Sequence, residues 1–137
     1  MSRSRRWHVF PVCALALVAP LTATAHGTKD PGPNGGEIRM TGAFHVEVVA
    51  REEALRLYLL DMQLENARTM ESSVDVTLKQ NGDSFDLGCS VADGAKAFTC
   101  PLPGAATLKE GTLVVDASRA AMPAEPAKYE LPLAFSQ

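Results

Sequence analysis

From residue 43 onward, apolar side chains recur at every second position: Phe44, Val46 and Val48, then Leu55, Leu57 and Leu59, then Val74, Val76 and Leu78. The pattern returns at Leu113 and Val115, and again at Tyr129, Leu131, Leu133 and Phe135. A period of two puts alternate side chains on one face of an extended chain, so each run predicts a half-buried strand. Several short strands parted by turn residues predict an all-β fold, a small antiparallel β-sandwich of immunoglobulin-like type with about six to eight strands. Residues 64–71 and 118–122 are the only candidates for short helices.

Two hairpins can be set in register. A turn at Arg51-Glu52, or a slightly longer one, pairs Val48 with Leu55, Val46 with Leu57 and Phe44 with Leu59 on one face, leaving Glu47 opposite Arg56 and His45 opposite Tyr58 on the other. A second turn at Asp93-Gly94-Ala95-Lys96 makes residues 85–103 a hairpin that pairs Leu87 with Leu102, Cys89 with Cys100 and Val91 with Phe98. Directly opposed residues have Cβ atoms about 4.5–5.5 Å apart, close enough for a cross-strand disulfide after a small adjustment.

The N-terminal segment breaks the alternation. Arg3, Arg5 and Arg6 precede an almost wholly apolar stretch at residues 9–18, and Ala23-Thr24-Ala25 supplies the small residues that a signal peptidase reads. Ten apolar residues are too few to cross a bilayer core of about 30 Å as a helix. Residues 1–25 therefore read as a cleavable signal peptide, with cleavage after Ala25 or, as second choice, after Ala23. Cys13 lacks the setting of a lipoprotein site. Residues 26–40 read as a flexible Gly/Pro-rich arm and residues 41–137 as the sandwich domain. This predicts a periplasmic protein with no membrane anchor after processing.

Processing changes the charge and the cysteine count. Loss of three arginines from a formal charge of −3 leaves −6, which excludes nucleic acid as an expected partner. Cys89 and Cys100 remain, and an even pair in an oxidising compartment reads as one disulfide rather than two metal ligands.

Candidate chemistry is sparse. The serines lie in no nucleophile motif and the glycines at 32–36 open no phosphate-binding helix, so no enzyme is expected. His26 would become the new N-terminus, where its amine and imidazole together chelate Cu(II); cleavage after Ala23 places the histidine third, which also suits copper. The alternative is an ordinary exposed histidine in a loose arm. His45 and Glu47 project from one strand face roughly 7 Å apart and could share a metal with a third ligand, although Glu47 could instead pair with Arg56 and His45 pack on Tyr58. Met40, five residues before His45, is the one thioether singled out as a soft ligand. The candidate metal set is thus His26, His45, Glu47 and Met40, for copper, with zinc or cobalt as further options.

The run Gly32-Pro33-Asn34-Gly35-Gly36, then Phe44-His45-Val46-Glu47, then Leu57-Tyr58-Leu59-Leu60-Asp61 resembles a pattern in small periplasmic heavy-metal-associated proteins, and in the segments that open adaptor subunits of some heavy-metal efflux pumps. The resemblance covers roughly residues 31–80. It implies a β-sandwich-like module in copper, zinc or cobalt handling, with His26 in the histidine-bearing leader and His45-x-Glu47 as the strand motif. The leader here carries one histidine rather than a cluster, and the helical hairpin of an adaptor is missing. The expected function is a periplasmic metal-binding accessory protein that buffers or transfers metal, linked to heavy-metal resistance, with an efflux component of the envelope as a possible partner. The alternative is a metal-free structural or interaction module.

Overall fold

The computed structural model describes residues 29–92, 94–104 and 106–135. The segment expected to be a signal peptide, its expected cleavage sites and His26 lie outside the described residues. Among the described residues ten strands follow in order: β1 (Glu37–Met40), β2 (His45–Ala50), β3 (Ala54–Leu60), β4 (Ser73–Gln80), β5 (Asp83–Leu87), β6 (Ser90–Val91), β7 (Phe98–Pro101), β8 (Gly111–Arg119), β9 (Met122–Pro123) and β10 (Ala127–Leu131). One sheet has the order β1-β2-β3-β7-β6; the other runs β10-β8-β4-β5, with β9 paired to β8. All pairings are antiparallel. Eight strands have four residues or more, and the short β6 and β9 raise the count above the six to eight expected.

The two sheets close an immunoglobulin-like sandwich over one core. Val46, Val48, Leu55, Leu57 and Leu59 of one sheet share it with Val76, Leu78, Leu113, Val115 and Tyr129 of the other. These are the alternating positions of the sequence, and β4 keeps the alternation throughout: Val74, Val76, Leu78 and Gln80 are buried while Ser73, Asp75 and Lys79 face out. The Tyr129 hydroxyl donates to the Val46 carbonyl across the core at 2.7 Å. At the open edge between β1 and β10, Arg39 pairs with Glu37, donates to the Lys128 carbonyl and stands over the Tyr129 ring at 5.0 Å.

Four expectations need correction. The β2–β3 hairpin pairs Val48 with Leu57 and Val46 with Leu59, two residues away from the predicted register. Its loop is Glu52-Glu53, closed by the Arg51 N–H on the Ala54 carbonyl at 2.9 Å. A slip of two keeps every side chain on its predicted face, so the core is unchanged. Consequently Glu47 lies opposite Tyr58 and His45 opposite Leu60.

The hairpin predicted over residues 85–103 exists only at its tip. There Val91 pairs with Phe98 and Ser90 with Thr99, in the predicted register, and Cys89 is bonded to Cys100. Residues 83–87 belong instead to the other sheet, as the return arm of a two-residue hairpin at Asn81-Gly82, whose φ values are 51° and 85°. The chain changes sheets at Gly88, so the disulfide pins the crossover onto β7.

No helix forms among the described residues. Residues 64–71 are an irregular loop in which Leu64, Asn66 and Glu71 have positive φ. Residues 118–122 make the tight β8–β9 hairpin, whose Ala120 and Ala121 are both left-handed, at 52° and 60°. Short runs without a buried stripe have no packing energy to hold a helix. Here tertiary hydrogen bonds decide: Ala120 N–H donates to Ser72 Oγ at 3.1 Å and Ala121 N–H to the Glu71 carbonyl at 2.7 Å.

The arm expected over residues 26–40 ends earlier. Residues 37–40 are β1, and residues 32–36 fold into a closed loop, with Gly32 N–H bonded to the Gly36 carbonyl and Gly35 N–H to the Gly32 carbonyl.

Candidate metal-binding site

The outer face of β2 carries the sequence motif His45-x-Glu47, and its two residues have different fates. Glu47 is fully buried although it points away from the sandwich core. The loop at residues 32–36 lies over it. Its Oε1 accepts the N–H groups of Asn34 at 2.9 Å and Gly36 at 2.8 Å, and its Oε2 accepts Asn34 Nδ2 at 2.8 Å. A Cβ on Gly32 would sit 2.5 Å from the Glu47 carboxyl carbon and 2.8 Å from Ile38 Cδ1. One on Gly36 would strike the Val48 carbonyl and come within 2.7 Å of Val49 Cγ2. Glycine at both positions is what lets the backbone come this close. The pairing of Glu47 with Arg56 weighed from the sequence does not occur, and the carboxylate is committed to three amide donors.

His45 remains at the surface, half-buried, and directly opposite Met40 across the β1–β2 pair. Beyond them the Thr41 N–H bonds the Phe44 carbonyl at 3.0 Å. The alternation of an antiparallel ladder then makes Met40–His45 the narrow kind of pair, in which facing side chains are closest. The imidazole Nδ1 lies 3.2 Å from the Asp61 carbonyl. A carbonyl can only accept, so in the neutral imidazole that can ligate a metal Nδ1 carries the proton and Nε2 keeps its lone pair. This carbonyl–imidazole arrangement is the usual way in which a ligating histidine is oriented by its surroundings. The predicted packing of His45 on Tyr58 gives way to contact with the segment after β3.

Of the four candidate ligands, the fold brings together Met40 and His45, withdraws Glu47 into a structural role, and leaves His26 outside the described residues. Among those residues no group of three His, Cys, Asp or Glu side chains converges to hold a metal. Sulfur changes this picture. Met40, Met62, Met70 and Met122 are all exposed, at 54, 46, 71 and 48%. All four lie at one end of the sandwich: Met40 ends β1, Met62 follows β3, Met70 precedes β4, and Met122 pairs with Arg119 at the end of β8. His45, the first residue of β2, is at the same end. Core filling, the ordinary role of methionine, therefore explains none of them.

The segment that holds His45 is itself fastened. Asp61 Oδ1 accepts the N–H groups of Gln63 and Glu65, at 3.1 and 2.8 Å, and its Oδ2 accepts Asn66 Nδ2 at 2.6 Å. The Asn66 amide, followed by the Glu65 N–H, holds the Asp61 carboxyl below its ordinary pKa. Asn34, Asp61, Met62, Met70 and Met122 are not marked by the sequence as parts of a site, whereas Met40 is. An aspartate opening a turn-rich stretch is a signal for side-chain capping of a loop, whereas the methionine cluster needs the topology to be seen.

Compared with protein-family models, with curated proteins and with solved structures, the chain matches none.

Proposed function

We propose that this protein is a non-enzymatic copper-binding accessory protein of the bacterial periplasm, which holds one ion at the Met40–His45 pair for buffering or transfer. The observation that carries this reading is the pairing itself. A thioether and an imidazole with a free Nε2 face each other at an exposed strand end, and borderline nitrogen with soft sulfur suits copper, Cu(I) above all. Three further thioethers at the same end favour the soft ion over zinc or cobalt.

His26 supplies the third ligand in this reading. The loop clamped by Glu47 leads the N-terminal segment onto the outer face of β2, where His45 also lies. Gly32 lies six positions after His26, and six Cα steps span up to roughly 20 Å when extended. Cleavage after Ala25 would add the new terminal amine as a nitrogen donor. Metal handling linked to an efflux component of the envelope follows from the resemblance of the Gly32–Gly36 and Phe44–Glu47 motifs.

Competition of the exported protein against a chromophoric Cu(I) chelator tests this. The wild type should remove one equivalent of copper, and His45→Ala and Met40→Ala should each lose most of that affinity. Equal binding by both variants and the wild type removes the site, and a protein that takes no copper is an interaction module instead.

A further inference from the structure

The same end of the sandwich has a second feature that the metal reading does not use. Between the loop at residues 61–72, the β6–β7 turn and the end of β8 lies a cleft of about 560 Å³, within the range of small-molecule sites. Its walls carry Arg68, Lys96 and Arg119, with Glu65 as the one acidic side chain, in a chain whose overall charge is negative.

These cations are not equivalent to scattered surface charges. Arg119 is half-buried and held rigidly, with Nε on the Leu59 carbonyl at 3.1 Å and one terminal nitrogen on the Asn66 carbonyl at 2.8 Å; its other terminal nitrogen has no partner among the described residues. Arg68 is tied to the Met70 carbonyl and to Glu71, which leaves one terminal nitrogen of its guanidinium over. Lys96 forms no ion pair among the described residues.

The frame around the cleft is built at a conformational cost. Of the seven non-glycine residues with positive φ among the described residues, Leu64 and Asn66 line it, and Ala95 and Ala120 adjoin its Lys96 and Arg119 in sequence. Strained backbone of this kind persists where the surroundings over-determine it, and it clusters at ligand sites. The surroundings here are the Asp61 caps, the Thr69 hydroxyl on the Ala95 carbonyl at 2.7 Å and the β8–β9 turn bonded to Ser72 and Glu71. A preorganised cleft with one fixed guanidinium and one unpaired ammonium is suited to an oxyanion, since the guanidinium fork matches carboxylate or phosphate oxygens and the ammonium adds a mobile charge.

We infer that this cleft binds a small polyanion bearing carboxylate or phosphate groups, with Arg119 and Lys96 as its principal contacts and Arg68 at the rim. The ligand is independent of copper, because His45 and Met40 do not line the cleft.

The test is titration of metal-free protein with citrate and, separately, with inorganic phosphate, followed by amide chemical shifts. Saturable shifts at Asn66, Ala67 and Lys96 with either probe support the site, and the stronger probe identifies the oxyanion class. Lys96 is exposed in a turn, so Lys96→Glu should fold normally; it should weaken binding at least about tenfold, the loss of one charge-assisted hydrogen bond. Lys96→Arg should retain binding and Glu65→Gln should tighten it. Copper affinity should be unchanged in Lys96→Glu, and anion binding unchanged in His45→Ala, so either reading can fail alone. Absence of saturable shifts with both probes, or equal binding by wild type and Lys96→Glu, overturns the inference.

Discussion

Asn34 grips both carboxylate oxygens of Glu47, its backbone N–H at Oε1 and its side-chain amide at Oε2, across thirteen residues of sequence. With the Gly36 N–H this makes a buried carboxylate the fastening point of the N-terminal loop. Removing it should strand three donors. Glu47→Ala is expected to cost about 3–5 kcal/mol, the range for leaving buried polar partners uncompensated, and Glu47→Gln about 1–3 kcal/mol, because one acceptor oxygen remains. Urea unfolding measures both, and hydrogen exchange at the Asn34 and Gly36 amides should accelerate ahead of global unfolding.

Gly32→Ala tests the same contact from the other side. The added methyl meets the Glu47 carboxyl at 2.5 Å, so the loop must lift. The expected loss is about 1–3 kcal/mol, as for overpacking elsewhere. Gly42→Ala, where a Cβ meets nothing within 4 Å, is the contrast for steric crowding, although its φ of +90° carries its own strain.

The disulfide should matter locally as well as globally. Cys89 and Cys100 close a loop with a sequence separation of 11, and replacing both by alanine should cost roughly 2–4 kcal/mol. Because the bond pins the sheet crossover to β7, exchange in β6 should rise well before exchange in the β4–β8 pair.

Alkaline pH should destabilise the fold through Tyr129. Burial pushes its phenol well above the ordinary value of 10.0, opposed by Arg39 and reinforced by the Glu37 and Glu47 carboxylates. A group whose folded pKa is raised keeps its full stabilising effect below the unfolded pKa. Stability should therefore hold up to about pH 10 and fall as the unfolded chain ionises first. Tyr129→Phe should remove that part of the pH dependence, while losing about 1 kcal/mol at neutral pH with the hydroxyl's bond to Val46.

How far the fold was legible depended on whether information was local. Alternation at Val46, Val48, Leu55, Leu57 and Leu59 identified the strands and their inward faces, and opposition of Cys89 to Cys100 identified the bond. The register of β2–β3 was displaced because Glu52-Glu53 is a turn without glycine, proline or asparagine to mark it. Residues 83–87 were joined to the wrong partner because Asp93-Gly94 and Asn81-Gly82 are competing turn signals, and local pattern does not say which sheet a strand enters. Glu47 stands at an outward position by period, and only a loop more than ten residues upstream makes it buried. Strain at Ala120 and Ala121 is imposed by tertiary hydrogen bonds, and that at Leu64 by the turn that Asp61 caps, against the preference of each residue. For the site, sequence alone nominated His45 and Met40, but their direct pairing follows from a β1 strand that the Gly/Pro-rich composition concealed.

X-ray absorption at the copper edge of the exported, Cu(I)-loaded protein tests the central claim most directly. The account predicts one tightly held ion whose nearest neighbours include both a thioether sulfur and an imidazole, with the sulfur shell lost in Met40→Ala and the imidazole signature diminished in His45→Ala. A copper shell of nitrogen and oxygen alone, or spectra identical in the wild type and both variants, would contradict it.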